Sequence, residues 1–258
     1  LYIVDPKMNS KVSDLKKFYP DVIFICVPTP MNEDGSQDIS IVEGVIREIK
    51  STFLDSYIVL KSTVLPNHIK KIENTIEKFI YNPEFLREKY ADEDFINPDL
   101  IVFGGKKENC EFLSDVYRKY FNCTNNDYIH TDSVSASFIK YSINAFLSTK
   151  VIFFNELYKL FKACETDVDW GTLTEAIKKD SRIGSSHMQV PGHDERFGFG
   201  GACLPKDSSA FLNYSHSIES SLNLLKKVIE INNDIRSDYK TTTDREKEQN
   251  IKFSKKSN

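Results

Sequence analysis

Residues 196–207 read Arg-Phe-Gly-Phe-Gly-Gly-Ala-Cys-Leu-Pro-Lys-Asp, with glycines at 198, 200 and 201 ahead of Cys203 and a Lys206–Asp207 pair behind it. Glycines let the backbone approach a ligand closely or adopt positive φ. Lys206 supplies positive charge that favours a thiolate, and Asp207, four residues beyond the thiol, could hold a water or orient a lysine. A lone thiol with a nearby base and a cation makes a set for covalent catalysis. The competing reading of any cysteine is a small buried hydrophobe, and that reading is kept for Cys26, which lies inside an apolar run. The five cysteines contain no C-x-x-C, and their spacing fits neither a disulfide scaffold nor a zinc site.

Other polar residues sit where chemistry could use them. Lys140 and Asn144 lie four apart in FIKYSINAFL, so on a helix they face the same way. The apolar flanks would bury the lysine and press it to lose its proton, which suits a group that gives and takes protons; the alternative is a lysine reaching out of a helix interface. Glu84 and Glu88 in NPEFLRE would share a face if that stretch is helical, and Thr29 in VPTP and Thr63 in KSTV fall at the ends of apolar runs. The plain alternatives are helix-start acids and turn hydroxyls. Asp5, ending LYIVDP, stands where a dinucleotide site places the acid that meets the adenosine ribose, though an Asp at a strand end is also an ordinary turn residue.

These residues need a scaffold, and the apolar pattern supplies one. LYIVDP, DVIFICVPTP, SYIVLKSTV, FIYNPEF and PDLIVFGG read as strands, the longer ones buried on both faces. Helical spacing in 40–53 and 68–79 alternates with them, which implies a doubly wound parallel α/β sheet. From residue 133 the texture changes: a helix of some 35 residues, then one over 169–180, the cysteine stretch, and further helix over 206–236. The expected domains are 1–132, 133–235 and a polar, frayed tail over 236–258.

The chain has 258 residues, 28% of them charged, and a net charge of −4, which argues against nucleic acid as the main partner. No apolar run approaches the ~20 residues of a membrane span, and the expected location is cytoplasmic.

Taken in order, VPTP, KSTV, NPEFLRE, FIKYSINAFL, DSRIG and FGFGGACLPKD resemble the UDP-glucose/GDP-mannose dehydrogenase family over residues 1 to about 235. The resemblance implies a Rossmann-like NAD domain whose first βα unit is truncated, then an all-helical central dimerisation domain. It also implies a metal-free, two-step oxidation of a nucleotide sugar's C6 alcohol to a carboxylate by two NAD, with UDP-glucose favoured. On it, Cys203 attacks the C6 aldehyde to give a thiohemiacetal and then a thioester. Lys140 and Asn144 stabilise the oxyanion, Asp207 positions Lys140 and a water that Thr63 also holds, and Glu84 takes the proton in hydrolysis. Phe85, Leu86, Phe199 and Gly200 line the sugar site, with Glu84, Glu88, Lys140 and Asn144 also against the substrate. Arg182 of DSRIG reaches the substrate of a neighbouring subunit, which implies a homodimer. Asp5, Lys11, Val27, Thr29, Thr63, Glu88 and Lys206 fall at cofactor positions, Lys11 with one extra residue between it and Asp5.

Two family features are absent from the sequence, the G-x-G-x-x-G turn before Asp5 and the domain that closes over the nucleotide after about residue 235. The chain therefore reads as beginning inside the second strand and as a truncated member of the family. Rival readings are a β-hydroxyacid dehydrogenase, which needs no cysteine, and a nucleotide-sugar-binding remnant without turnover. GDP-mannose and UDP-N-acetylmannosamine stay open as substrates.

Overall fold

A computed structural model describes residues 1–52 and 55–254. Phe53, at the end of the expected 40–53 helix, and residues 255–258 of the expected tail lie outside the described residues. The chain divides into two compact units, Leu1–Pro30 with Gln37–Lys140 and Met31–Ser36 with Tyr141–Asn258.

The first unit holds a five-stranded sheet of β1 (Val22–Ile25), β2 (Tyr57–Leu60), β3 (Phe79–Tyr81), β4 (Ile101–Gly105) and β5 (Tyr128–Thr131), ordered β1-β2-β3-β4-β5. Val22 pairs with Tyr57, Ile58 with Phe79 and Ile101 with Tyr128, all in parallel ladders, while β3 and β4 pair antiparallel through Ile80 and Gly105. The Rossmann-like α/β architecture is the expected one, with a single antiparallel pairing that apolar patterning does not encode. Alternation along β2 sends Ile58 and Leu60 to one face and Val59 to the other.

The first face packs on α1 (Ser40–Lys50) through Val42, Ile46 and Ile49, and on α2 (Pro66–Glu73) through Ile69 and Ile72. These residues recur at three- and four-residue spacing, which makes one buried stripe per helix. The second face takes Cys110, Leu113 and Tyr117 of α4 (Lys107–Tyr120) against Val59, Ile80 and Phe103. Each fully buried Leu or Ile contributes ~1.5–3 kcal/mol, so Ile69→Ala, at a position with no exposure, would cost ~2–5 kcal/mol.

Two expectations change in this unit, and one strand is added to it. Residues 1–5 form no ladder; Tyr2 stacks on Phe18 at 4.5 Å, and Asp5 caps a 3-10 turn over Pro6–Met8. Apolar content alone does not make a strand, because each strand needs a partner for its backbone groups. The NPEFLRE stretch is not helical: residues 82–87 run irregularly, and a 3-10 turn over Glu88–Tyr90 leads into α3 (Ala91–Ile96). Glu84 and Glu88 therefore share no helical face, the proline at 83 working against helix at the residue before it. β5 is a mostly exposed strand without an apolar run, which is why patterning passes over it.

The long helix is α5, Ser133–Ala163, 31 residues. Its first turn lies against Gly104, where an added Cβ would sit 2.6 Å from the Ala136 Cβ. In the second unit α6 (Trp170–Lys178) starts at Asp169, whose Oδ1 accepts from Thr172 N–H at 2.9 Å. The expected 206–236 helix is two, α7 (Leu204–Ser217) and α8 (Asn223–Arg236), broken at Ile218–Leu222 with Glu219 at φ 55°. Polar serines 217, 220 and 221 offer the chain local hydrogen bonds that compete with helix. Phe199, Ile152 and Val228 form one apolar cluster and Phe154, Met188 and Val190 another.

The stretch expected as a frayed tail is also ordered in its described part. It carries α9 (Asp244–Glu248), whose Thr243 and Glu246 form a reciprocal capping box, and it buries Glu246 and Ile251. The Thr-x-x-Glu spacing is the sequence signature of that cap.

Candidate active site

In the first unit, the turns after β1 and β2 are sewn together by side chains. Thr29 Oγ1 donates to the Thr63 carbonyl at 3.1 Å, Gln37 Nε2 donates to the same oxygen at 2.7 Å, and Gln37 Oε1 accepts from Leu65 N–H at 3.0 Å. Ser62 Oγ donates to the Val27 carbonyl at 2.6 Å. Thr29 is buried within this brace, and Val27 and Thr63 are half-buried. Parallel strands put these turns on one edge of the sheet, the edge where open α/β sheets bind nucleotides.

Asp5 Oδ1 accepts from Lys7 N–H at 2.8 Å, and the Asp5 N–H donates to Ser10 Oγ at 2.9 Å. Its capping bond uses one carboxylate oxygen. Lys11 is exposed, with its N–H on Asp14 Oδ2 at 2.9 Å. The Asp5 carboxylate and the polar turns after β1 and β2 offer hydrogen-bonding groups of the kind that meet a dinucleotide's hydroxyls.

The turn after β3 carries Glu84, Phe85 and Leu86, and it hangs from Asn82. That side chain is held by three elements: Lys61 Nζ at 3.1 Å and Tyr117 Oη at 2.6 Å both donate to its Oδ1, and its Nδ2 donates to the Val102 carbonyl at 3.0 Å. An open depression of about 330 Å³ runs between this turn and Lys61, Asp94, Tyr117 and Cys123. Burial holds the Lys61 ammonium below the usual lysine range, with Glu84 pulling the other way. Lys61, Asn82 and Tyr117 line this depression, and motif reading passes over them; a lysine closing the apolar YIVL strand was the available signal. Glu84 and Glu88 are exposed, Phe85 and Leu86 half-buried. Lys140, only 7% exposed, sets its ammonium over the Phe85 ring at 5.3 Å. Burial of this lysine follows from its apolar helix flanks.

In the second unit Cys203 is exposed and stands as the N-cap of α7 (φ −101°, ψ −62°), where its carbonyl accepts from Asp207 N–H at 2.9 Å. Behind it, Asp207 is 2% exposed. Its Oδ2 accepts from Asn144 Nδ2 at 2.6 Å and its Oδ1 from Lys206 Nζ at 2.5 Å. The Lys206 ammonium thus pairs with the carboxylate of its neighbour in the sequence. Phe199 is 4% exposed and packs into the helical core with Ile152 and Val228. Gly200 lies against Arg236, with an added Cβ only 2.1 Å from its Nη2. Arg182 is exposed and forms a surface pair with Asp180, Nη2 to Oδ2 at 2.6 Å.

A Rossmann-like domain with polar strand-end turns, followed by helices of which α7 starts at an exposed thiol, defines the class as a dinucleotide-binding fold with a helical second part. The chain belongs to the UDP-glucose/GDP-mannose dehydrogenase family: residues 8–121 match its NAD binding domain and residues 134–234 its central domain. NAD is the dinucleotide of that domain.

The chain is 37% identical to a UDP-glucose 6-dehydrogenase of Rickettsia bellii over 82% of this chain and 49% of that protein. Among solved structures, a UDP-glucose dehydrogenase of Pyrobaculum islandicum superposes with a TM-score of 0.72 at 32% identity, covering 86% of this chain and 53% of that one. A GDP-mannose dehydrogenase of Pseudomonas aeruginosa gives 0.57 at 30% identity, covering 90% and 57%. The chain spans 23% to 52% of the length of the curated relatives it matches. Among the described residues no helix is long and apolar enough to cross a membrane.

Proposed function

We propose that the protein oxidises the C6 alcohol of a nucleotide sugar, UDP-glucose first, to the carboxylate in two NAD-dependent steps. The observation that carries this is Cys203, exposed at the start of α7 in the family's central domain, with the buried Asn144–Asp207 pair fixing the helix beneath it. Bound NAD accepts a hydride in each step.

In the first step Lys140 takes the alcohol proton as C6 loses its hydride, leaving an aldehyde. The Cys203 thiolate then adds to C6, and its electron pair forms the C–S bond while the carbonyl oxygen becomes an oxyanion held by Lys140 and Asn144. An aldehyde has no hydride to give until such a nucleophile has added, which is the reason for the thiol. Loss of the second hydride leaves a thioester. Glu84 takes a proton from water as the water attacks; the C–S bond breaks and the thiol and the carboxylate are released. Thr63 and Asp207 hold that water.

Val27, Thr29, Thr63, Glu88 and Lys206 serve the cofactor side. Asp5, through its second carboxylate oxygen, and Lys11 serve its ribose end. Phe85, Leu86, Phe199 and Gly200 shape the sugar site. Braced through Asn82 from Lys61 just after β2, from α4 and from β4, the Glu84 turn is preorganised for its part.

The active form is a homodimer built on α5, with Arg182 reaching the partner's substrate. Phe146, Phe153 and Leu160 support this: they lie seven apart and stay 65%, 58% and 63% exposed, a stripe down one helix face.

The test is NADH formed per sugar consumed, for this chain and for Cys203→Ser, with UDP-glucose, GDP-mannose and UDP-N-acetylmannosamine at saturating NAD. Two NADH per UDP-glucose, lost in the variant, is the expected result. No NADH from any of the three sugars overturns turnover by this chain.

A further inference from the structure

The residues that follow α8 close onto the loop that precedes Cys203. Arg196 donates from Nη1 to the Thr241 carbonyl at 2.7 Å and from Nη2 to Thr241 Oγ1 at 3.0 Å. The Phe197 N–H donates to Tyr239 Oη at 2.9 Å, and the Gly201 N–H to Glu246 Oε1 at 3.3 Å. Glu246 has no exposure, and its Oε1 also accepts from Arg236 Nη2 at 2.6 Å while its Oε2 accepts from Thr243 N–H at 2.7 Å. Arg236, 2% exposed, spends Nη1 on Asp194 Oδ2 at 2.7 Å.

From below, α8 grips the same loop. Asn232 Oδ1 accepts from Phe199 N–H at 2.7 Å, and its Nδ2 donates to the Phe199 carbonyl at 3.0 Å. The glycines make this approach possible, because a Cβ at Gly198 would lie 2.6 Å from Asn232 Oδ1 and one at Gly200 2.5 Å from Glu246 Oε1.

A buried carboxylate is costly unless it is paired and hydrogen-bonded. Glu246 meets that condition only by sitting between Arg236 and the loop, so the segment has one low-energy position. The central-domain match ends at residue 234, and Tyr239, Thr241 and Glu246 all lie beyond it.

We infer that residues 239–251 are a clamp that sets the position of Cys203, with Glu246 and Arg236 as positioning residues acting through the 196–201 loop. The inference rests on the proposed role of Cys203 and adds what places it. Two residues separate the last clamped amide, Gly201, from Leu204, the first residue of α7. Holding Gly201 therefore holds Cys203 at the N-cap, where the positive end of α7 favours a thiolate. With the clamp open, the loop keeps its α8 grip at Phe199, but its last residues are free to swing the thiol off the helix end.

The experiment is the rate at which iodoacetamide labels Cys203 at neutral pH, read peptide by peptide, with the exposed Cys164 as reference in the same chain. Two variants are compared with the parent. The double variant Arg236→Met with Glu246→Met removes both buried charges together and takes a partner only from Asp194, whose side chain is 31% exposed to water, an exchange that buried pairs often tolerate. Tyr239→Phe leaves the ion pair and removes only the acceptor of Phe197 N–H.

The Cys203-to-Cys164 ratio is expected to fall about fivefold in the double variant, the factor that ~1 kcal/mol at a helix end represents, and to fall less in Tyr239→Phe. A cooperative thermal melt checks that each variant is folded; if the double variant is not, Tyr239→Phe decides. An unchanged or raised ratio in a folded variant overturns the clamp. Labelling needs neither NAD nor sugar, so failure of NADH formation in the parent chain would sink the proposed oxidation without touching this result.

Discussion

Asn144 on α5 and Asp207 on α7 meet at 2.6 Å, amide nitrogen to carboxylate oxygen, with 5% and 2% of their surfaces exposed. The bond ties the helix that carries Lys140 to the helix that begins at Cys203. Because Lys206 takes the other carboxylate oxygen, Asp207 has a partner on each side and little freedom to turn.

Asp207→Ala removes the acceptor of two buried donors at once. It should lower the unfolding free energy by ~3–5 kcal/mol, since the buried Lys206 and Asn144 side chains both lose this acceptor. Urea unfolding measures this. Asp207→Asn should cost less, because it keeps one acceptor oxygen, and a Asp207→Ala chain as stable as its parent would show the pair to be idle.

Alkaline pH offers a second reading of the core. Burial, with Glu73, Glu108 and Glu111 nearby, pushes the Cys110 thiol from an ordinary 9.0 up to about 11. The folded chain then keeps a proton that the unfolded chain loses above pH 9. This contribution is fully present below about pH 9 and is lost as pH rises toward 11, by ~2–3 kcal/mol over the two units. The stability gap between the parent and Cys110→Ala should shrink by that amount across this window, measured by urea unfolding at several pH values.

Two glycines should respond in opposite directions to one added methyl. Gly200→Ala drives a Cβ into Arg236 and Glu246, both locked in ion pairs, and should destabilise by ~1–3 kcal/mol. Gly44, within α1, has nothing within 4 Å of its Cβ position, and Gly44→Ala should stabilise by ~0.5–1 kcal/mol through helix propensity. Thermal melts of both variants decide.

The α5 stripe supplies the last expectation. Phe153→Glu puts a charge at the middle of Phe146, Phe153 and Leu160 and should turn a dimer into a monomer in sedimentation, without loss of helical signal. A chain that sediments as a monomer before substitution would rule out the α5 dimer for this protein.

Much of the fold was legible because its signals are local. VIFI, YIVL and IVFGG are apolar runs that only a sheet covered on both faces can hide, and α1 and α2 announce themselves by spacing. The first five residues, the NPEFLRE turn and the C-terminal segment were not legible in the same way. Tyr2 had a ring partner where it needed a strand, and Pro83 broke a helical spacing. Thr243 and Glu246 carried a capping signal inside a stretch whose composition suggested disorder.

For the site, the sequence by itself determined which chemistry-bearing residues are present and the helix turn that spaces Lys140 from Asn144. It also placed Cys203 between glycines and a helix, because these are properties of neighbours along the chain. Tertiary structure alone decided who pairs with whom. Asp207 took Lys206 and Asn144, and Lys61 and Tyr117 converged on Asn82. Glu246, 43 residues beyond Cys203 in the sequence, came to hold the loop before it. The physical reason is that a buried charge or amide must find its partner wherever the packed chain brings one, and no spacing rule records a partner that folding delivers from a distance.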